Sequence, residues 1–409
     1  MAELQISTSA SEQDPASAQV LPFPSSDPAK ELTPTDYREI FERNARDIKT
    51  RIFAILQKDA PLSTADRTAL EADLNKFYSP KFSALRENSL INDIDKHNFT
   101  PATMTAEKGH TNVIPLLRRA GAKLDATDGK GFTPATRAAN KGHADFIAAL
   151  SAEDIPLNTP DGRGFTPATQ AAMKGHVAAL EAMRHTLFST PDVNGFTASG
   201  LAAMHGQPDA LKMLHVAGAR IDAADTYGFT PPTRAAMTGQ HNTVAVFKEA
   251  GINLEEADRN GHTPAIEAAI NDKPAFITAL AEHGVDVGAT GPDGRTAATW
   301  AADQGFPDVL RALHKAGVDL SKPDKNGDTP GGLAARKGHE GVIDALIELK
   351  VDLSVVTKEK TPGKHAEDSG HKNIVDRLIE AGFHPKPRRK PHSTDLFYEL
   401  LREPEVSGP

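Results

Sequence analysis

A threonine returns along this chain at a nearly fixed interval, and that interval restricts the fold more than any other feature. It stands at Thr100, Thr133, Thr166, Thr197, Thr230, Thr263, Thr296, Thr329 and Thr361, in steps of 33, 33, 31, 33, 33, 33, 33 and 32. The line "GFTPATRAANKGHADFIAAL" from Gly131 is rewritten as "GFTPATQAAMKGHVAALEAM" from Gly164 and "GFTPPTRAAMTGQHNTVAVF" from Gly228. A unit so short cannot bury its own apolar face, so each copy must offer the same surface to the next. Aromatic residues make up only 5% of the 409, which argues against one large core.

Each copy carries its own punctuation. Five positions before the Thr stands an Asp in seven copies (Asp95, Asp128, Asp161, Asp192, Asp225, Asp258, Asp324), and two before it a Gly in seven, which together spell a turn. The Thr then accepts an N-cap bond, with Pro at the first helical position in seven copies, where its missing N–H costs nothing. An Ala-rich helix follows and ends at a Gly such as Gly109, Gly142 or Gly338. A second helix carries apolar residues such as Val309, Leu310 and Leu313 and commonly stops at another Gly, among them Gly121 and Gly317. Pro115 should distort the second helix of the first copy, and Asp272 replaces the helix-ending Gly of the sixth.

Turn, capped helix, Gly, helix and Gly in the frame "DxxGxTPxxxAAxxGH" resemble the ankyrin repeat family, from about Asn92 to Phe383 in nine copies. The resemblance implies an all-α solenoid of stacked helix-turn-helix units with protruding turn tips. Where the family has "TPLH", this chain has "TPAT" at Thr133–Thr136 and Thr166–Thr169, so a core Leu becomes Ala. In a fixed core that exchange costs about 2–5 kcal/mol unless layers approach or a neighbour fills the space. Tight stacking is therefore expected.

Catalytic constellations are not legible. "GATGPDGRT" from Gly288 lacks the Lys-Ser/Thr and the preceding strand of a phosphate-cradling loop, and reads as a repeat turn. His110, His143, His176, His339 and His371 share one repeat position, so they are spread one layer apart and read as structural. With no Cys there is no disulfide, thiol nucleophile or Cys-ligated zinc. No cofactor or metal is expected. A net charge of -9 disfavours nucleic-acid binding. No run approaches the roughly 18 apolar residues of a membrane span, and no secretory leader is visible, so the chain reads as cytosolic or exported without a Sec signal.

The resemblance also implies which positions meet a partner: the residue before the Thr, and the two before the helix-ending Gly, face the concave side of such arrays. The first series runs Phe99, Phe132, Phe165, Phe196, Phe229, then His262, Arg295, Asp328 and Lys360. Seven after the Thr stand Glu107, Asn140, Met173, Met204, Met237, Ile270, Asp303, Arg336 and Asp368. The overlap predicts a binding strip of Phe132, Phe165, Phe196 and Phe229 with Met173, Met204, Met237 and Ile270, continued by a charged C-terminal half. An alternative has each Phe folding over the space left by the missing Leu, yet Ala265 and Ala298 accompany His262 and Arg295 instead of Phe. Trp300 reads as inner-helix core.

Outside the array, residues 1–33 have the composition of a disordered tail. Residues 34–91 predict three helices, about 36–58, from Ser63 or Thr64 to Phe77, and 82–87, which cap the first repeat. Residues 384–409 hold the basic run Lys386, Arg388, Arg389 and Lys390, then a short amphipathic helix around Leu396, Phe397, Leu400 and Leu401 that docks on the last layer or serves a partner. The expected function is a non-enzymatic scaffold or adaptor, monomeric, gripping another protein on its concave face. Two other readings stay open: repeats as the targeting arm of a regulatory segment at 36–91, or a resemblance to bacterial ankyrin proteins delivered into host cells.

Overall fold

Each repeat begins at the Thr, because the hydroxyl of that residue caps a helix N-terminus, in five copies with a second bond in return. In the computed structural model, which describes residues 34–58, 61–77, 91–186, 188–357 and 360–384, the Thr133 hydroxyl accepts from the Thr136 N–H at 3.1 Å. The Thr136 hydroxyl in turn accepts from the Thr133 N–H at 2.9 Å. The same reciprocal box recurs at Thr100, Thr166, Thr230 and Thr296. A cap of this kind contributes about 1 kcal/mol, and at Thr197, Thr263, Thr329 and Thr361 the Thr hydroxyl accepts the same N–H bond without the reciprocal one. The second Thr of "TPAT" is therefore a capping residue, a role the sequence reading passed over. The expected disordered tail at 1–33, the helix at 82–87, the basic run and the C-terminal helix lie outside the described residues.

Two helices, α1 (Pro34–Leu56) and α2 (Thr64–Phe77), come first. Ser63 is the cap of α2, its hydroxyl accepting from the Asp66 N–H at 3.1 Å. Helix pairs then follow: α3 (Pro101–Lys108) with α4 (Ile114–Arg119), α5 (Pro134–Lys141) with α6 (Ala144–Ala152), α7 (Pro167–Lys174) with α8 (Val177–Ala182), and α9 (Ala198–Met204) with α10 (Pro208–Val216). Next are α11 (Pro231–Thr238) with α12 (Val244–Glu249), α13 (Pro264–Ile270) with α14 (Pro274–Glu282), and α15 (Ala297–Gln304) with α16 (Pro307–Lys315). The last are α17 (Pro330–Lys337) with α18 (Glu340–Glu348) and α19 (Pro362–Ser369) with α20 (Lys372–Glu380). Among the described residues the only β pairing is two isolated bridges, one of them Thr290 with Thr296, which makes "GATGPDGRT" a repeat turn as expected.

The chain divides into two compact units, residues 1–202 with 212–220 and residues 203–211 with 221–409. In the first unit the core lies between inner helices, through Ala138, Ala139, Ala171 and Ala172, and outer ones, through Ile114, Leu117, Phe146, Ile147, Leu150 and Leu180, all without measurable exposure or nearly so. α1 packs on α3 and α2 on α4. The buried Arg51 holds α1 to α2, donating from Nε and Nη2 to Asp73 at 2.9 and 2.8 Å. Lys49 Nζ donates to the Ile94 carbonyl at 3.2 Å, and His110 Nε2 meets the Lys58 carbonyl at 3.1 Å.

In the second unit the same layering is built from Phe247, Phe276, Ile277, Leu280, Leu310, Leu313, Ile343 and Leu346. It also shows what fills the volume of the missing Leu. A Cβ placed on Gly331, the equivalent position in its copy, would fall 2.7 Å from Leu353 Cδ2. A Leu from the following turn thus occupies the vacated space, and its counterparts Leu254, Val287 and Leu320 are equally buried.

Two irregularities were anticipated. Asp272 takes the left-handed backbone of the absent Gly, with φ of 54°, as do Asp154 (57°) and Lys350 (56°) at the ends of outer helices. Before α4 the chain makes a 3-10 turn at Thr111–Val113, and Pro115 sits in the first helical turn. Pro115 is not the cause of this break. The His241–Thr243 turn before α12 has the same form with no Pro beside it.

Candidate partner-binding face

The turn Asp fixes the direction in which each Phe leaves the backbone. Asp128 N–H donates to the Phe132 carbonyl at 2.8 Å, while Asp128 Oδ1 accepts from the N–H groups of Lys130 (2.9 Å) and Phe132 (3.0 Å). Asp95 and Asp161 hold Phe99 and Phe165 by the same set of bonds, and Asp192 Oδ1 accepts from the Phe196 N–H at 3.0 Å. With both backbone groups of the Phe committed, its side chain projects in a repeated direction at little conformational cost. In the first unit Phe132, Phe165, Phe196 and Met173 are all half-buried.

The sequence reading missed what shelters these rings. Arg137 of α5 is buried, paired with Asp128 Oδ2 and with Glu107 Oε2 at 3.3 Å. Its guanidinium carbon lies 4.5 Å from the centroid of Phe99 and 4.0 Å from that of Phe132. Arg163, from the next turn, pairs with Asp161 at 2.6 Å and stands 3.5 Å from Phe132 and 5.3 Å from Phe165. Rings and guanidinium groups therefore alternate along this unit, each contact contributing about 0.5–1 kcal/mol at a partly exposed site. Asp192, whose copy has Leu201 where Arg137 stands, lacks such a cation. Burial pushes its carboxyl above the ordinary carboxylate range, against the pull of the Phe196 N–H and the Thr169 hydroxyl.

In the second unit Phe229, Met204, Met237 and Ile270 are likewise half-buried. Arg234 of α11 repeats the role of Arg137: it pairs with Asp225 at 2.7 Å and lies 4.3 Å from Phe229. Two copies on, the partners are exchanged, with Arg295 in the Phe position and Trp300 in the Arg position, 3.7 Å apart. Trp300 is thus half-buried beneath a guanidinium instead of lying in the core as expected, and its Nε1 has no hydrogen-bond partner.

The charged C-terminal positions pair among themselves. The residue before the Thr meets the residue seven after it in Arg295–Asp303 (3.4 Å), Asp328–Arg336 (3.5 Å) and Lys360–Asp368 (2.7 Å). These pairs measure the closeness of the two positions that hold Phe165 and Met173 in the first unit, and Phe229 and Met237 in the second. Within the charged C-terminal half, these residues are thus paired with one another across the two positions.

His262 adds a titratable group. Its Nδ1 lies 2.8 Å from Oε2 of the buried Glu267, and its ring meets Trp300 edge-on at 5.8 Å. The hydrogen bond to Glu267 raises its pKa above the usual value of about 6.5, burial opposing and Asp258 and Asp293 assisting. A folded-state value above the unfolded one means that this contact stabilises fully below the unfolded pKa and is lost as pH rises through the folded pKa. The melting-temperature gap between the protein and Glu267→Gln should therefore be widest below about pH 6 and close at higher pH. A gap independent of pH from 5 to 9 would contradict the pairing.

The five shared histidines are bridges between layers. Nε2 of His143, His176, His339 and His371 donates to the carbonyls of Glu107, Asn140, Asp303 and Arg336 at 3.1, 2.9, 2.9 and 3.2 Å. Among the described residues no group of three or more His, Asp and Glu side chains could hold a metal ion, and no helix is long and apolar enough to cross a membrane.

Capped inner helix, Gly, outer helix and Asp-anchored turn, stacked within each unit, define an α-helical repeat protein. The family model described as "Ankyrin repeats (3 copies)" matches residues 102–196, 199–291 and 298–389, and the chain belongs to the ankyrin repeat family. No curated protein matches it in sequence. Ankyrin repeats generally serve as protein–protein interaction modules and are typically non-enzymatic.

Proposed function

We propose that this protein is a scaffold or adaptor that grips a partner protein through Phe132, Phe165, Phe196 and Met173 of the first unit and Phe229, Met204, Met237 and Ile270 of the second. The observation that carries this reading is the clamping of each Phe of the strip on a turn whose Asp holds its backbone, with the ring left half-buried and, in the copies of Phe165, Phe196 and Phe229, a half-buried Met seven residues after the Thr. Rigid aromatics beside adaptable thioethers suit a docking surface, and Leu353, which takes the vacated volume in the copy of Gly331, has the buried counterparts Leu124 and Leu157 after the copies of Phe99 and Phe132, which supports leaving the rings free of a filling role.

Phe165→Ala combined with Met173→Ala should weaken capture of the native partner by more than about tenfold, since central apolar anchors contribute about 1–2 kcal/mol each. Affinity purification with mass spectrometry identifies the partner, and titration of the purified pair reads the effect. An unchanged affinity would exclude this surface.

A further inference from the structure

We propose that residues 390–401 of this chain cover the outer half of its last repeat, with His392 seated on Gly370 as the histidine of a tenth layer that lacks an inner helix. The end of the second unit is polar on one half and apolar on the other. Six residues after the Thr, each of the eight earlier copies has an Ala with no exposure in the stack of inner helices, among them Ala269, Ala302 and Ala335. The ninth copy has Glu367 there, exposed and paired with Lys364 at 2.9 Å. No inner helix is needed beyond α19. On α20 the pattern differs. Four residues after the shared His position, Ile277, Leu310 and Ile343 are fully buried, as is that position in every earlier copy. Val375 is only half-buried, and Ile379, one turn on, is 43% exposed. One helix, not a full repeat, fits such an end.

The histidine bridge gives the register. A Cβ on Gly338 would fall 2.7 Å from His371 Cε1 of the next copy, and one on Gly305 would fall 2.8 Å from His339 Nδ1. Those rings bond the Arg336 and Asp303 carbonyls, two residues before each Gly. Gly370 and the Asp368 carbonyl come next in the series, and no described residue stands within 4 Å of a Cβ on Gly370.

The chain beyond His384 carries a matching segment. Lys390, Pro391 and His392 stand where earlier copies have Lys-Gly-His, as at Lys337, Gly338 and His339, and Pro can replace Gly because no inner helix has to end there. After His339 the apolar residues are Val342, Ile343, Leu346 and Ile347. After His392 they are Leu396, Phe397, Leu400 and Leu401, the same spacing begun one residue later. Residues 385–391 span about 22 Å as an extended proline-rich chain, against about 8–10 Å between packed helices, so the segment reaches α20. Charge favours it as well. In the last turns of α20, Asp376 and Glu380 are exposed and form no ion pair among the described residues, while Arg377 is paired with Asp344. The basic Lys386, Arg388, Arg389 and Lys390 complement these acids, whereas a second copy docked end to end would set them against their own equivalents.

Paired cysteines test this on the full chain, which has none of its own. Ser369→Cys with Ser393→Cys places thiols beside Gly370 and His392, and Ser369 is exposed. With a short bismaleimide at low protein concentration, this pair should link within one chain at least about tenfold faster than Ser369→Cys with Ser407→Cys, because a seated segment raises the local thiol concentration. Leu396→Asp with Leu400→Asp should remove that advantage and lower the hydrogen-exchange protection of the α20 amides. The strip of Phe and Met side chains plays no part in either readout. Links between chains would assign the end face to a second copy, and equal rates for the two pairs would leave the segment undocked. Unchanged α20 protection would mean that the segment does not cover that helix. Each of these results overturns the proposal.

Discussion

Arg137→Ala is expected to destabilise the protein by about 3–5 kcal/mol, because it strands a carboxylate in a place water does not reach. The Asp128 side chain is fully buried, and its Oδ2 is the atom paired with Arg137. Asp128 Oδ1 is already saturated by the Lys130 and Phe132 N–H groups and cannot take over that role. The same truncation also uncovers faces of Phe99 and Phe132. Two turns of the second unit set the scale of tolerance. Asp258 and Asp324 keep a buried Oδ2 with no hydrogen-bond partner, opposite Glu267 and Leu333 instead of Arg, so the fold survives one such orphan and the loss should lie nearer the lower bound. A double-mutant cycle with Asp128→Asn settles the attribution: if the pair is responsible, the two changes together should cost clearly less than their sum. Additive losses, or a loss below about 1 kcal/mol for Arg137→Ala alone, would mean the guanidinium is only a ring cover.

Gly142→Ala should cost about 2–4 kcal/mol, from two sources that can be separated. The residue sits at φ 78°, where any L side chain is strained by about 1–2 kcal/mol. Its added Cβ would also stand 2.8 Å from Nδ1 of His176, a ring that cannot simply swing away because Nε2 is bonded to the Asn140 carbonyl at 2.9 Å. Gly121 is the control. It has nearly the same backbone, φ 77°, but nothing within 4 Å of a new Cβ, so Gly121→Ala should show the backbone strain alone. Thermal or denaturant unfolding of both variants gives the contribution of the ring contact by difference. Adding His176→Ala to Gly142→Ala should narrow that difference. Equal losses at the two glycines would show that the histidine bridge yields freely.

The repeat, its caps and its turns were legible because they depend on residues close in sequence. Asp and Gly at fixed distances before a Thr, then Pro, specify a turn and a helix start by local backbone chemistry alone. The left-handed site at Asp272 could be read for the same reason. Trp300 could not be placed. Its position on the inner helix resembles core by periodicity, yet Arg295 one turn earlier covers it, and the spacing does not say which of two neighbouring positions holds the cation and which the ring. Thr136 stands where a capping box ordinarily has Glu or Gln, so its spacing alone did not reveal the second bond.

Local spacing fixed, for this protein, where every described repeat starts and ends and which side chains recur on one face, since those depend on hydrogen bonds a few residues long. Tertiary structure alone decided what those side chains touch. Arg137 lies over Phe99 from the copy before, Leu353 fills the space above Gly331, and Arg295 spends its charge on Asp303. Such contacts arise between layers or between loop and helix, where a long flexible side chain has several partners within reach. Packing and charge pairing choose among them only once the stack exists.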